Sequence, residues 1–227
     1  MKILNPAVLR DLEAGTRMRL NLGSGMRLRP GFYNVDHLPL PNVDILADLN
    51  EPLSALPDNS VEEIYCRHTL EHVTRFLELL AELHRVTSSQ GRIEIIVPHF
   101  SNPYGYSDPT HVRFFGLYSF FYFCDEADQP RRKVPSFYLP QRFQVESVSC
   151  RLLKETVLEK VLRAVLQPLI NRSPGSLDWY ERRLCRWLPA NDIRFLLRPK
   201  KEPSAGPRSD LRSREGRVRW GGYAASL

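Results

Sequence analysis

The segment Leu20-Asn21-Leu22-Gly23-Ser24-Gly25, with Asp36 eleven positions beyond Gly25, constrains this chain more than any other feature. An apolar strand runs into a turn with two glycines, and a second short strand, residues 32–35, leads to a carboxylate. Glycine has no Cβ, so backbone at 23 and 25 can come close to a ligand. A carboxylate ending the neighbouring strand sits where doubly wound α/β folds hold ribose hydroxyls. The two parts together predict an adenosine-type ligand lying across the carboxyl ends of parallel strands.

What is missing narrows the ligand. The dinucleotide fingerprint G-x-G-x-x-G needs a third small residue where this chain has Leu28, and its acid comes later than Asp36 does. The phosphate-cradling G-x-x-x-x-G-K-[ST] loop is also absent. A glycine turn without a phosphate signature suits a nucleoside that carries no phosphate, and S-adenosylmethionine is the common one.

The remaining signals agree with an α/β domain. At 227 residues the chain can bury a sizeable core without staples. Strand and helix patterns alternate: strands over 18–22, 43–47 and 61–66, a helix over 70–86 with Leu70, Val73, Leu77, Leu80 and Leu83 at three-to-four spacing, then a strand over 92–97. This order builds a parallel sheet. Beyond Pro98, residues 114–123 are crowded with rings and expected to be helical, 143–152 reads as a strand, and helices are expected at 153–170 and 178–187 before a last strand at 193–197. A single α/β domain with the nucleoside site is placed at 1–198, with a helical insertion over about 153–190. Residues 199–227 read as a basic, disordered tail.

Cysteines 66, 124, 150 and 185 lie far apart with no C-x-x-C, which predicts buried, reduced thiols. Met1 to Gly15 contains Asp11 and Glu13 and does not fit a secretory leader, and no apolar run reaches the length of a membrane span. A cytoplasmic location, at most peripheral to a membrane, is expected. Charge is uneven: residues 1–150 carry 15 Lys/Arg against 18 Asp/Glu, net −3, whereas 151–227 carry 17 against 8, net +9. The basic rear predicts contact with an anionic membrane surface or lipid carrier through residues 151–227. No RNA-binding motif accompanies those charges, so nucleic acid is not the expected partner.

With Asn21, Asp36, Asp48 and Arg67-His68 falling at successive strand ends, the sequence resembles the class I S-adenosylmethionine-dependent methyltransferases. The resemblance is to their type 11 branch, as found in genes for cell-surface polysaccharides. It is carried by 20–25, Tyr33-Asn34-Val35-Asp36, Asp44 to Leu49, His68-Thr69-Leu70-Glu71-His72-Val73 and Asp108-Pro109-Thr110-His111-Val112-Arg113. It implies a Rossmann-like α/β fold, a mostly parallel seven-stranded sheet with helices on both faces. It also implies cofactor roles for Asn21, Gly23, Ser24, Gly25, Asp36, Asp48, Leu49, His68, Leu70 and Glu71. The short interval from Gly25 to Asp36, broken by Arg29-Pro30-Gly31, implies that the first crossover helix is short or missing. The acceptor implied is a small molecule, sugar or lipid-linked glycan, methylated on oxygen.

Methyl transfer from a sulfonium mainly requires alignment of the acceptor, and a hydroxyl acceptor must also lose a proton to a base of near-neutral pKa. His111 is the leading base, with Asp108 as its orienter and His99 second. Two other readings are carried alongside. One is a non-catalytic module that keeps the fold. The other is a zinc hydrolase built on His68-x-x-Glu71-His72, an H-x-x-E-H pattern; placing His68 at a strand end splays that pair, no third ligand is evident downstream, and no metal site is assigned.

Overall fold

The computed structural model describes residues 1–154 and 156–201. Its strands are β1 (Lys2–Ile3), β2 (Met18–Leu22), β3 (Tyr33–Asp36), β4 (Ile45–Leu46), β5 (Val61–Arg67), β6 (Thr87–Pro98), β7 (Arg142–Leu152) and β8 (Ala190–Lys200). They form one sheet in the order β1-β4-β3-β2-β5-β6-β8-β7. The pairs from β4 through β6 are parallel, whereas β8 runs antiparallel to both β6 and β7. The expected seven strands are therefore present, and the two-residue β1 adds an antiparallel edge beside β4. One face of the central strands is apolar and fully buried, with Leu20, Leu22, Ile64, Cys66, Ile93, Ile95 and Val97 in register, while Asn21, Glu63, Tyr65 and Glu94 alternate with them on the other face.

Four helices accompany the sheet: α1 (Pro6–Glu13), α2 (Phe76–Val86), α3 (Val157–Ile170) and α4 (Pro174–Arg183). Asn5 caps α1 by accepting from the Ala7 amide, with Pro6 pre-set at the first helical position. Among the described residues no helix joins β2 to β3. The loop 23–32 is instead fastened by the Arg29 guanidinium, which lies 4.0 Å over the Tyr65 ring and 3.6 Å from Glu94. That meets the expectation of a missing crossover helix.

Three expectations need correction. The single helix over 70–86 is broken: a 3-10 turn at Leu70–His72 is followed by extended Val73, and α2 starts only at Phe76. The cause is Asn50, whose Oδ1 accepts from the Thr74 and Arg75 amides and the Thr74 hydroxyl, so a side chain from another loop caps the helix and bends its entry. Residues 114–123 form turns with one 3-10 segment, Phe121–Phe123, instead of a helix. Phe115, Phe120 and Phe123 pack around Phe76, so these rings are core. The last strand runs on to Lys200, whose ammonium sits between Asp125 and Asp128, so residues 199 and 200 belong to the sheet; the expected tail over 202–227 lies outside the described residues.

The insertion between β7 and β8 holds α3 and α4, as expected. The apolar pairs of α3 divide. Leu166 and Ile170 pack inward, while Val157, Val161, Val165 and Leu169 form an outward row, each between 56% and 75% exposed. All four cysteines are free and buried. No helix of the described residues is long and apolar enough to cross a membrane.

Candidate functional site

A cleft of about 580 Å³ opens at the carboxyl ends of β2, β3, β4 and β5, within the size range of small-ligand sites. Gly23, Gly25, Asp36, Asp48, Leu49 and His68 line it, so six of the predicted cofactor residues converge there. Sequence reasoning missed His37, Leu38, Leu40, Asn50, Thr69, His72 and Thr110 on the same walls, although the last three lie inside motifs it singled out.

Asp36 is 7% exposed, and its two oxygens accept the amides of Gly25 (2.8 Å) and Leu38 (3.0 Å). A carboxylate offers about four acceptor positions, so Oδ2 keeps one, and the second on Oδ1 faces the exposed His37 Nδ1 at 3.3 Å, leaving acceptors that a vicinal diol can use. Leu38, Leu40, Ala47, Leu49 and Val73 supply an apolar wall for a flat base. The donor set and the cleft therefore fit an adenosine-bearing cofactor.

Gly23 adopts φ +60°, in the left-handed region. A Cβ at this position would lie 2.2 Å from Thr69 Oγ1, so the residue that demands glycine here is Thr69 and not only the ligand. The Thr69 hydroxyl is shared between the carbonyls of Leu22 (3.3 Å) and Arg67 (3.1 Å), clamping the turn to the end of β5.

Four predicted cofactor residues fall off the cleft wall. Asn21, 3% exposed, gives both amide hydrogens to Arg27 O and Asn34 Oδ1, each at 2.9 Å, so it fixes the loop and not the ligand. Ser24 is buried with no partner for its hydroxyl. Leu70 is core. Glu71 is 1% exposed, and neither carboxylate oxygen has a hydrogen bond.

His68 follows β5 with φ +52°, a costly conformation for a non-glycine residue, as active-site residues often show. Its Nε2 lies 3.2 Å from Asp192 of β8, a fully buried acid that also pairs with Arg151. Nothing in the sequence marks Asp192, which reaches the site only because β8 inserts beside β6.

The expected catalytic group is rearranged. Asp108 does not orient His111: the His111 Nδ1 donates to Gly105 O at 2.8 Å, and Asp108 Oδ2 stands 3.7 Å from the other nitrogen. Asp108 acts on His72 instead. The Thr110 hydroxyl donates to Asp108 Oδ1 at 2.6 Å, so at 2.8 Å it must accept from His72 Nδ1–H. The bonds from the Thr110 hydroxyl and then its amide hold the Asp108 carboxyl below the usual range. His99 is not a candidate base: it is buried, with Nδ1 2.7 Å from Ser101 Oγ and Nε2 3.1 Å from Glu181 Oε1. His68 and His72 are not paired across a helical turn, because the chain enters Leu70–His72 from a strand end; the hydrolase geometry is absent.

Residues 32–95 match the family model described as a methyltransferase domain, a span that includes Asp36, Asp48 and His68 to Val73. Among solved structures, the chain is similar to the YcgJ protein of Bacillus subtilis (14% identity, 82% of this chain and 93% of that one, TM-score 0.48). It is also similar to a SAM-dependent methyltransferase of Archaeoglobus fulgidus (18%, 86% and 92%, TM-score 0.46). No curated protein matches. The segment that resembles a methyltransferase domain includes Asp36, Asp48, Leu49 and His68 to Val73, and so builds much of the cleft wall at the carboxyl edge of this α/β sheet.

Proposed function

We propose that this chain is a class I S-adenosylmethionine-dependent methyltransferase that methylates a hydroxyl oxygen of a sugar or lipid-linked glycan. The observation that carries the oxygen acceptor is the chain His72–Thr110–Asp108 on the wall of the cofactor cleft. With Nδ1–H committed to Thr110, the neutral His72 ring keeps a lone pair on Nε2, and Asp108 stabilises the ring when it gains a proton. His111, its ring edge-on to His72 at 4.8 Å, has the same tautomer. The pair is a proton-accepting element, which a sulfonium-to-hydroxyl transfer needs and a purely positional site does not. Gly23 and Gly25 would flank the methionine part of the cofactor, Asp36 the ribose, and Asp48 with Leu49 the adenine. The glycan class rests on the resemblance to the polysaccharide-associated branch. The outward apolar row on α3 supports an acceptor presented at an anionic membrane surface, with the +9 charge of residues 151–227 supplying attraction.

Titration calorimetry with S-adenosylhomocysteine, beside an Asp36→Ala variant, tests the cofactor site: micromolar binding that falls at least about tenfold in the variant is expected, since a charged hydrogen-bonding pair of this kind contributes about 1.5–3 kcal/mol. Methyl-labelled S-adenosylmethionine, incubated with a cell-envelope glycan and lipid fraction, tests the acceptor. Alkali-stable label in glycan is expected of an ether. Label confined to protein, nucleic acid or alkali-labile ester would sink the glycan reading.

A further inference from the structure

Beneath the wall of the cleft lies a group of side chains that methyl transfer by itself does not explain. Glu71 from the 3-10 turn is 1% exposed and has no hydrogen bond on either oxygen. A buried carboxylate costs several kcal/mol unless it is paired or bound to a metal. Its nearest basic atoms are His68 Nδ1 at 3.5 Å and His111 Nε2 at 4.0 Å, too far for hydrogen bonds of useful strength.

The two imidazoles beside it are set for a different task. Each gives its Nδ1–H to a fixed oxygen, His72 to Thr110 Oγ1 and His111 to Gly105 O. The tautomer is thereby chosen, and both Nε2 lone pairs are left without a donor. Metal-ligating histidines are held this way, the second nitrogen anchored to a carbonyl or a carboxylate-linked group. One ligand atom from each of Glu71, His72 and His111 lies within 4.8 Å of the others.

We propose that Glu71, His72 and His111 bind a divalent first-row transition cation of the zinc class. Two imidazole nitrogens and one carboxylate suit such an ion, and hard cations such as magnesium prefer all-oxygen sites. With bonds of about 2.0–2.1 Å, tetrahedral ligand atoms stand about 3.3 Å apart, so separations of up to 4.8 Å close by at most about 1.5 Å through side-chain adjustment. Asp108 Oδ2, 3.7 Å from His111 Nε2, is placed to be a fourth ligand, or solvent from the cleft takes that position. A cation on the two Nε2 atoms would take over from imidazole the weakening of the acceptor O–H bond.

The test uses the full chain stripped with chelator, then titrated with Zn²⁺ and with Co²⁺, whose visible absorption reports coordination. One equivalent per chain is expected, with an affinity at least about 100-fold weaker in His72→Asn and in His111→Asn; loss of an anchoring outer partner alone costs 10–100-fold. His84→Gln, which alters an imidazole far from the cleft, is the control and should bind as the wild type does. Glu71→Gln loses no hydrogen bond, so it folds even where a histidine variant does not; its expected weakening is of the same order. Binding unchanged in Glu71→Gln and His111→Asn, or no binding at all, overturns the proposal. S-adenosylhomocysteine titration of the stripped protein is run in parallel. Cofactor binding without metal binding would refute the cation site and leave methyl transfer standing, and the converse would do the reverse.

Discussion

Among the described residues two histidine–carboxylate clusters stand out, built from similar parts and finished differently. His99, Glu181 and Cys150 join the end of β6 to α4 and β7, and their ligand-capable atoms are as close together as those of Glu71, His72 and His111. In the first cluster the atoms that face one another are used. Glu181 Oε1 takes the Leu117 amide at 2.5 Å and faces His99 Nε2 at 3.1 Å, His99 Nδ1 meets Ser101, and burial pushes the Cys150 thiol well above its ordinary pKa. In the second cluster the anchoring atoms are used and the inward-facing ones are not. Proximity of histidine and carboxylate is therefore common to a structural latch and a binding site, and the state of the remaining lone pairs separates them.

The largest expected effect comes from truncating the two carboxylates. Glu181→Ala leaves a buried Leu117 amide and a His99 nitrogen without partners and should destabilise the fold by about 2–4 kcal/mol. Glu71→Ala removes a buried charge that has no hydrogen bonds and should cost at most about 1 kcal/mol, through lost packing. Urea unfolding of both variants in chelator measures the difference. Equal losses would mean that the second cluster is as closed as the first.

A smaller effect is expected at the turn that holds the cofactor side of the cleft against the open cluster. Gly23→Ala places a Cβ 2.2 Å from Thr69 Oγ1 at φ +60°, so Thr69 must move, and Thr69 begins the 3-10 turn that carries Glu71 and His72. A loss of about 1–3 kcal/mol in stability follows from strain and displacement. S-adenosylhomocysteine affinity should fall with it, while reactivity of the His99 cluster is untouched. A Gly23→Ala protein with full cofactor affinity would uncouple the turn from the cluster.

How much of this was legible in the sequence depends on whether a local signal existed. Strands β2, β5 and β6 announce themselves through apolar runs, and the cofactor turn through glycine and acid spacing. The break before α2 carries no local signal, because its cause is Asn50, more than 20 residues upstream; apolar spacing over 70–86 is compatible with a continuous helix. That break turns His72 toward the cleft, so the periodicity that found the helix concealed the site. Residues 108–113 were recognised as a motif, yet the roles within it were misassigned. Spacing places Asp108 beside His111, whereas folding gives its oxygen to Thr110 and thus to His72. The H-x-x-E-H pattern was read with His68 as the partner of His72. In the proposed cation site the partner of His72 is His111, 39 residues further along, which no pattern of five residues could contain. Asp192 stayed invisible for the same reason, since only the antiparallel insertion of β8 brings it to His68.

The smallest effect tests whether the open cluster is ordered from outside. Thr110→Val deletes the hydroxyl that links His72 to Asp108 but keeps the backbone amide that also bonds Asp108. Asp108 is exposed, so the change in stability should be small. The carboxyl resonance of Asp108, followed by NMR, should titrate below the ordinary range in the wild type and move up in the variant, because the larger of its two supports is gone. The His72 ring, freed at Nδ1, would then exchange tautomers. Its Nε2 would carry the lone pair for only part of the time, weakening any ligand it holds. No corresponding change is expected at His99, whose anchor is Ser101. If the Asp108 titration stays where it was, the relay is not what holds His72, and the distinction between an anchored open cluster and a closed one loses its main support.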